Sequence, residues 1–220
     1  LEGMEAFAGL LVLIESLDQV DSTNEEAKRR LESGAEGVHW LRASMQTAGR
    51  GTHGRAWDSP DGAGLYLTRY ARHEEPLWPD GLTPTVGIAL AEAIRAATGV
   101  PVCVKPINDV VCDGFKLGGI LVEGARTPDG MLTSIIGIGL NVGSGPRRVR
   151  ADGWPAASLQ DVLPAGQPIP EISELARLVA SSVEHRLADL QRGGPTELHA
   201  AWSRVVLDGA PWPQKEPGGR

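Results

Sequence analysis

Residues 46–60, QTAGRGTHGRAWDSP, restrict the fold of this chain more than any other stretch. The segment before them, 38–45, can form a strand, and GLYLTRY at 64–70 reads as another. Between the two, Asp58, Ser59, Pro60, Asp61 and Gly62 are turn formers. Gly49, Gly51 and Gly54 match G-x-G-x-x-G, but a dinucleotide-binding turn with that spacing has to open a helix. Here a strand follows, so the Rossmann reading is rejected in favour of a strand–loop–strand arrangement. Glycine lets the backbone approach a ligand closely, and Arg50, His53 and Arg55 are interleaved with these glycines. A loop of this composition can cradle a phosphate or a carboxylate.

The basic cluster stands out because the 220-residue chain has a net charge of -7. No basic stripe accompanies it, so general nucleic-acid binding is not expected. A chain of this length, 41% hydrophobic and 22% charged, suits one substantial globular domain. The longest apolar run, near 10–14, falls far short of the roughly 20 residues of a membrane span, and no charged segment leads it as in a signal peptide. Cys103 and Cys112 have neither metal-site nor disulfide spacing and read as buried thiols in a reducing cytosol. The expectation is a cytoplasmic protein without a membrane partner. Its main domain covers 1–207, with a Pro- and Gly-rich tail at 208–220. Leu1, Glu2 and Gly3 ahead of Met4 read as a cloning scar and are left out of the fold reasoning.

The remaining pattern predicts a strand over 10–14. A helix follows, starting in a capping box (Ser22 with Glu25, or Thr23 with Glu26), running through Ala27 and Leu31, and stopping at Gly34. A core helix is expected over 85–98, a short strand over 102–105, and a hairpin turning at Asp113 and Gly114. Its second strand continues over 117–123, a turn at 128–130 reverses it, a strand returns over 131–140, and an amphipathic helix spans 171–190. A two-residue turn sets Cys112 opposite Phe115, Val111 opposite Lys116 and Asp109 opposite Gly118. Asp109 and Lys116 then project from one side, their backbones about 7–8 Å apart, while Phe115 and Leu117 face the core. On a surface such a pair is worth under about 1 kcal/mol. Gly118 and Gly119 in mid-strand mark a place where a ligand or another backbone comes close, and Asn141 ends its strand at the sheet rim.

In this order the pieces resemble the catalytic domain of biotin protein ligases. The matching segments are DSTN at 21–24, QTAGRGTHGRAWDSP at 46–60, KPIND at 105–109, KLGGILVE at 116–123 and GIGLNV at 137–142, with a weaker AASL at 156–159. The resemblance implies an α+β fold, a mixed β-sheet with helices packed mainly on one face, of the class II synthetase-like biotin/lipoate ligase type. It implies a two-step reaction: biotin and MgATP give biotinyl-5′-AMP and pyrophosphate, and a lysine of a biotin carboxyl carrier protein then attacks the mixed anhydride. ATP, Mg²⁺ and biotin are the small molecules required, no tightly bound organic cofactor is expected, and a homodimer is left open.

Carried over by position, the resemblance makes Lys116, Arg50 and Arg55 the catalytic cations. It sets Ser22, Thr23, Asn24, Gln46, Gly49, Arg50, Trp57, Lys116, Gly118 and Gly119 around biotin, with Trp57 either walling the pocket or sitting in the core. Gly51, Thr52, His53, Gly54, Arg55, Asn108 and Asn141 would contact ATP or the adenylate, and Asp109 and Asn141 would serve Mg²⁺. The chain departs from the family where K-W-P-N-D becomes Lys105, Pro106, Ile107, Asn108 and Asp109, and where Thr52 and His53 replace a common basic pair. No helix-turn-helix domain fits ahead of 21–24, so no repressor role is expected, and the SH3-like barrel that usually follows is missing or cut short after Asp208. Two other readings stay open: a lipoate or octanoate ligase of the same superfamily, and a catalytically weak biotin-binding module.

Overall fold

A computed structural model of the chain describes residues 12–73, 79–106, 108–127, 129–143 and 154–211. Seven strands form one mixed sheet: β1 (Ile14–Val20), β2 (Val38–Gln46), β3 (Gly64–His73), β4 (Cys103–Lys105), β5 (Asp109–Cys112), β6 (Phe115–Arg126) and β7 (Leu132–Asn141). Their spatial order is β1-β2-β3-β7-β6-β5-β4. β1 runs parallel to β2, as it must when a helix, α1 (Thr23–Glu32), joins them. The other neighbouring pairs are antiparallel.

Alternation along the central strands separates the two faces. Leu65 and Leu67 of β3, Ile136, Ile138 and Leu140 of β7, and Ile120 of β6 are buried on one face. They form the main core with Ile88, Leu90 and Ile94 of α2 (Pro79–Thr98) and Val179, Val183 and Leu187 of α4 (Ile172–Gly193). α5 (Pro195–Val205) adds Leu198 and Trp202 to that layer, and α3 (Leu159–Val162) is a single turn closed by a capping box between Ser158 and Asp161. Among the described residues the opposite face carries one α-helix, α1, over a small cluster of Ala27, Leu31, Leu41, Tyr70 and Ile135. Helices therefore cover one face fully and the other only at one end. The rest of that second face is left for the site.

The expected fold class holds, and several local expectations change. The first strand is Ile14–Val20 rather than 10–14, of which 10 and 11 lie outside the described residues. Its Glu15, Ser16, Asp18 and Gln19 hide the strand signal because an edge strand need not alternate cleanly. Ser22 caps α1 by position, but no capping box forms there: no side-chain cap bond is made, and Glu25 and Glu26 reach basic partners instead. α2 begins at Pro79 and passes through Pro84 instead of starting after it. Asp113 and Gly114 turn the β5–β6 hairpin with φ of 48° and 80°, as expected. A bulge at Leu117, however, sets Asp109 opposite Gly119, not Gly118. The bulge breaks the alternation, so Leu117 is fully buried while Phe115, expected in the core, is 41% exposed. Residues 206–210 are packed rather than frayed: Val206 bridges Val104, and Trp202 Nε1 donates to the Ala210 carbonyl at 2.8 Å. The tail beyond 211, Ile107 and Pro128 lie outside the described residues. Among the described residues no helix is long and apolar enough to cross a membrane.

Leu67 sits at the centre of the main core with no exposed surface. Leu67→Ala is expected to cost about 2–5 kcal/mol, as large-to-small changes in packed cores do, read as a lowered midpoint in urea unfolding with an unchanged m-value.

Candidate active site

On the partly covered face, Gly119 of β6 pairs with Gly139 of β7, and Gly137 of β7 pairs with Thr68 of β3. These three glycines leave a strip of sheet without side chains. The space above it is already claimed. A Cβ on Gly137 would lie 2.4 Å from Asn24 Oδ1, and one on Gly139 would lie 2.6 Å from the Trp57 indole. Trp57 therefore lies on the sheet and lines the cleft. Its Nε1 is buried and has no hydrogen-bond partner among the described residues.

The cleft above the strip encloses about 560 Å³, open mouth included, and its lining unites four separated sequence segments, Gly137, Ile138 and Gly139 of β7 among them. Ser22, Thr23 and Asn24 come from the start of α1, Gln46 from the end of β2, Arg50, Gly51, Thr52, Arg55 and Trp57 from the glycine loop, and Asn108, Lys116 and Gly119 from the β5–β6 hairpin. One end is a polar network. The Thr23 N–H donates to Gln46 Oε1 at 2.8 Å and Thr23 Oγ1 lies 3.1 Å from the same oxygen, while Gln46 Nε2 donates to Ser59 Oγ at 2.7 Å. Thr68 Oγ1 lies 2.8 Å from both Thr23 Oγ1 and Asn24 Oδ1, and Asn24 Nδ2 donates to Glu123 at 2.9 Å. The other end holds Lys116. Its ammonium donates to the Asp109 carboxylate, both residues are buried, and it stands 5.6 Å from the centre of the Trp57 ring. A buried ion pair is a weak source of net stability, but removing one partner strands the other at a cost of about 3–5 kcal/mol. The pair fixes the lysine at the cleft wall.

The glycine loop closes over the strip with a short turn at Thr52–Gly54, where His53 and Gly54 have φ of 58° and 70°. Arg50 reaches Glu25 and Glu123 with its side chain still 40% exposed, and His53, Gly54 and Arg55 are exposed too. Of the expected residues outside the lining, Gly49 packs beneath the loop, where a Cβ would meet the Trp57 carbonyl at 2.4 Å. Gly118 faces the Gly139 carbonyl, where a Cβ would come to 2.9 Å, so it is kept for strand contact rather than for a ligand. Asn108 Nδ2 donates to the Ile120 carbonyl at 3.1 Å. Asn141 lies in a neighbouring depression with Asp58, Tyr66 and Asp161, and its Nδ2 donates to the Ala157 carbonyl at 2.9 Å.

Among the described residues no group of three His, Cys, Asp or Glu side chains could hold a metal. Asp109 gives one oxygen to Lys116, and its other lies 4.0 Å from Lys105 Nζ. Such a donor set does not make a protein-built Mg²⁺ site; it suits an ion that arrives on phosphates and keeps its waters.

Sequence reasoning missed Gly137, Gly139, Thr68 and Glu123. The alternating glycines of SIIGIGLN and the one threonine inside GLYLTRY were the available signals. Nothing local marked Glu123, because its partners lie far away in sequence: Asn24, Lys28 and Arg50. Burial pushes the Glu123 carboxyl up, but bonds from Lys28 and Asn24 and the nearby Arg50 charge outweigh it and hold it below its ordinary value of 4.5.

The chain matches the model of the Biotin/lipoate A/B protein ligase family over residues 16–141. It is 32% identical over 209 residues to a biotin–[acetyl-CoA-carboxylase] ligase of Mycobacterium tuberculosis, covering 92% of this chain and 74% of that protein. It is 29% identical over 197 residues to a bifunctional ligase/repressor BirA of Bacillus spizizenii, covering 86% of this chain but only 58% of that relative's length. The fold is similar to a biotin protein ligase from Aquifex aeolicus solved with biotin and ATP. That match has a TM-score of 0.71 and 27% identity, and it covers 88% of this chain and 78% of the other.

A carboxylate whose folded pKa is lowered stabilises the protein fully above its unfolded value and loses that contribution as pH falls through the folded value. Glu123→Gln is therefore expected to lower Tm by about 2–4 °C at pH 7, equivalent to roughly 1 kcal/mol. The difference from the unsubstituted protein should shrink below about pH 4.5, checked by thermal melts between pH 7 and pH 3.

Proposed function

We propose, for a chain that belongs to the biotin/lipoate A/B protein ligase family, that it activates the carboxylate of biotin with MgATP and transfers the acyl group to a lysine of a biotin carboxyl carrier protein. In the first step a biotin carboxylate oxygen attacks the α-phosphorus and pyrophosphate leaves. In the second the acceptor amine attacks the acyl carbon, its proton is lost to solvent, and AMP leaves. The first step brings two anions together and so depends on cations placed beforehand.

The observation that carries this reading is Lys116. Its ammonium is fixed by a buried carboxylate at one end of a side-chain-free strip, facing a loop that carries Arg50 and Arg55. A ligand chain lying along the cleft against the Trp57 ring would run from the polar end, at Thr23 and Asn24, to the ammonium. A lysine, as a mobile point charge, serves both the carboxylate and the α-phosphate. Arg55 and the backbone of Gly51–Gly54 would meet the phosphates, with Mg²⁺ carried in on them, and Asn108 would bound that side. Closure of the loop would keep water from the adenylate.

Thr23, Asn24 and Gln46 favour biotin over the lipoyl and octanoyl alternatives. A ureido ring has N–H and carbonyl groups that can exchange hydrogen bonds with these side chains, whereas an alkyl or dithiolane end has none to offer. A site built to hydrogen-bond a ligand rejects analogues that cannot do so by large factors. Lys116, Asp109 and Asn108 are all present and converge on the cleft, which argues against an inert binding module.

Two measurements test this reading. Pyrophosphate release with MgATP is expected with biotin and not with lipoate or octanoate; release with lipoate alone would overturn the assignment, and release with none would remove ligase function. Lys116→Met combined with Asp109→Asn removes both charges without stranding either. It is expected to keep the far-UV CD spectrum while release falls at least about 100-fold, the scale of losing one preorganised charge contact.

A further inference from the structure

The glycine loop is tied down at both ends, and the two ties meet at one side chain. On the C-terminal side, Ser59 Oγ links the Trp57 carbonyl to Gln46, and the network passes through Thr23 and Thr68 to Asn24 and then Glu123. On the N-terminal side, Arg50 Nη2 lies 3.3 Å from Glu123 Oε1 and its Nη1 meets Glu25. Lys28 Nζ sits between the same two carboxylates, at 2.8 and 2.9 Å. Two acids and two bases thus form a neutral quartet beside the cleft.

A carboxylate can only accept hydrogen bonds. Glu123 therefore obliges Asn24 to turn its Nδ2 toward it and its Oδ1 toward Thr68, and the Thr68 hydroxyl must donate there. That arrangement decides which groups of Thr23 and Gln46 remain for a ligand.

We propose that Glu123 is a positioning residue for this cleft: with Glu25 it holds Arg50, and so the glycine loop, on the sheet until an anionic substrate competes for that guanidinium, and through Asn24 it orients the polar floor. Its role toward substrate rests on the biotin-activation reading; its hold on the loop does not. Glu123 touches no reacting atom, so its removal changes substrate capture rather than the chemical step. Glu25 shares the hold on Arg50 but has no bond to Asn24 and so no part in orienting the floor.

The test uses the full chain without ligand. Trypsin cleavage after Arg50 and Arg55 reports how often the loop opens when closing is faster than cleavage. Glu123→Gln and Glu25→Gln are each expected to speed cleavage there by about tenfold, the equivalent of one charged hydrogen bond. Glu92→Gln, which breaks a pair with Arg186 on the helical side, should leave it unchanged. With biotin and MgATP, Glu123→Gln should raise KM for biotin about tenfold with kcat within roughly threefold, while Glu25→Gln leaves KM for biotin near that of the parent. Unchanged cleavage in both variants overturns the proposal, as does a fall in kcat with KM unchanged. If Glu123→Gln fails to fold, the more exposed Glu25→Gln decides the hold on the loop. If the parent protein activates no acid, the ligase reading fails and the cleavage result still stands.

Discussion

The constraint on which this molecule depends is a strip of sheet with no side chains, made by Gly119, Gly137 and Gly139 on adjacent strands. Glycine in a strand interior weakens the strand, so β6 and β7 need support from elsewhere. Full burial of Ile136, Ile138 and Leu140 against α2 and α4 supplies it from the opposite face. The thick helical layer on one side is what permits the bare surface on the other. Trp57 and Asn24 can then lie directly on the backbone, closer than any Cβ would allow.

The cleft above that strip separates two kinds of chemistry by distance along one floor. Neutral amides and hydroxyls gather at the start of α1, with the Arg50 guanidinium beside them on Glu25 and Glu123, while the Lys116 ammonium stands at the hairpin end. Each end is held by a carboxylate, the half-buried Glu123 for the first and the buried Asp109 for the second. Neither carboxylate is a large source of net stability, since desolvation offsets much of the attraction. What they contribute is orientation, because a charged acceptor fixes donors that would otherwise rotate.

Much of this was legible in the chain because the decisive signals were local. The strand after the glycine loop excluded a dinucleotide fold, and the Asp113–Gly114 turn placed Asp109 and Lys116 on one side of a hairpin. The bulge at Leu117 was not legible: KLGGI carries no turn former to announce an extra residue, and the slip is set by how Leu117 packs into the core. Phe115 moved to the surface for the same reason. β1 was misread because an edge strand covered on one side only tolerates Glu15 and Asp18. Glu123 escaped notice because a carboxylate at the end of KLGGILVE looks like any solvated strand residue until α1 and the loop are brought against it.

The segment around Val206 runs parallel to β4 and bridges Val104, which leaves the two margins of the sheet unlike each other. One margin is shielded by the chain itself. At the other, among the described residues, nothing pairs with the outer side of β1. Open strand margins invite addition of a foreign strand and the growth of aggregates. β1 carries Glu15 and Asp18 along that margin, with Glu15 drawn to Arg30, so an incoming strand would have to strip water from acidic groups before it could bond. Among the described residues, then, one margin of the sheet is wrapped by the chain and the other carries acidic side chains, so the two ends of the same sheet meet water on different terms.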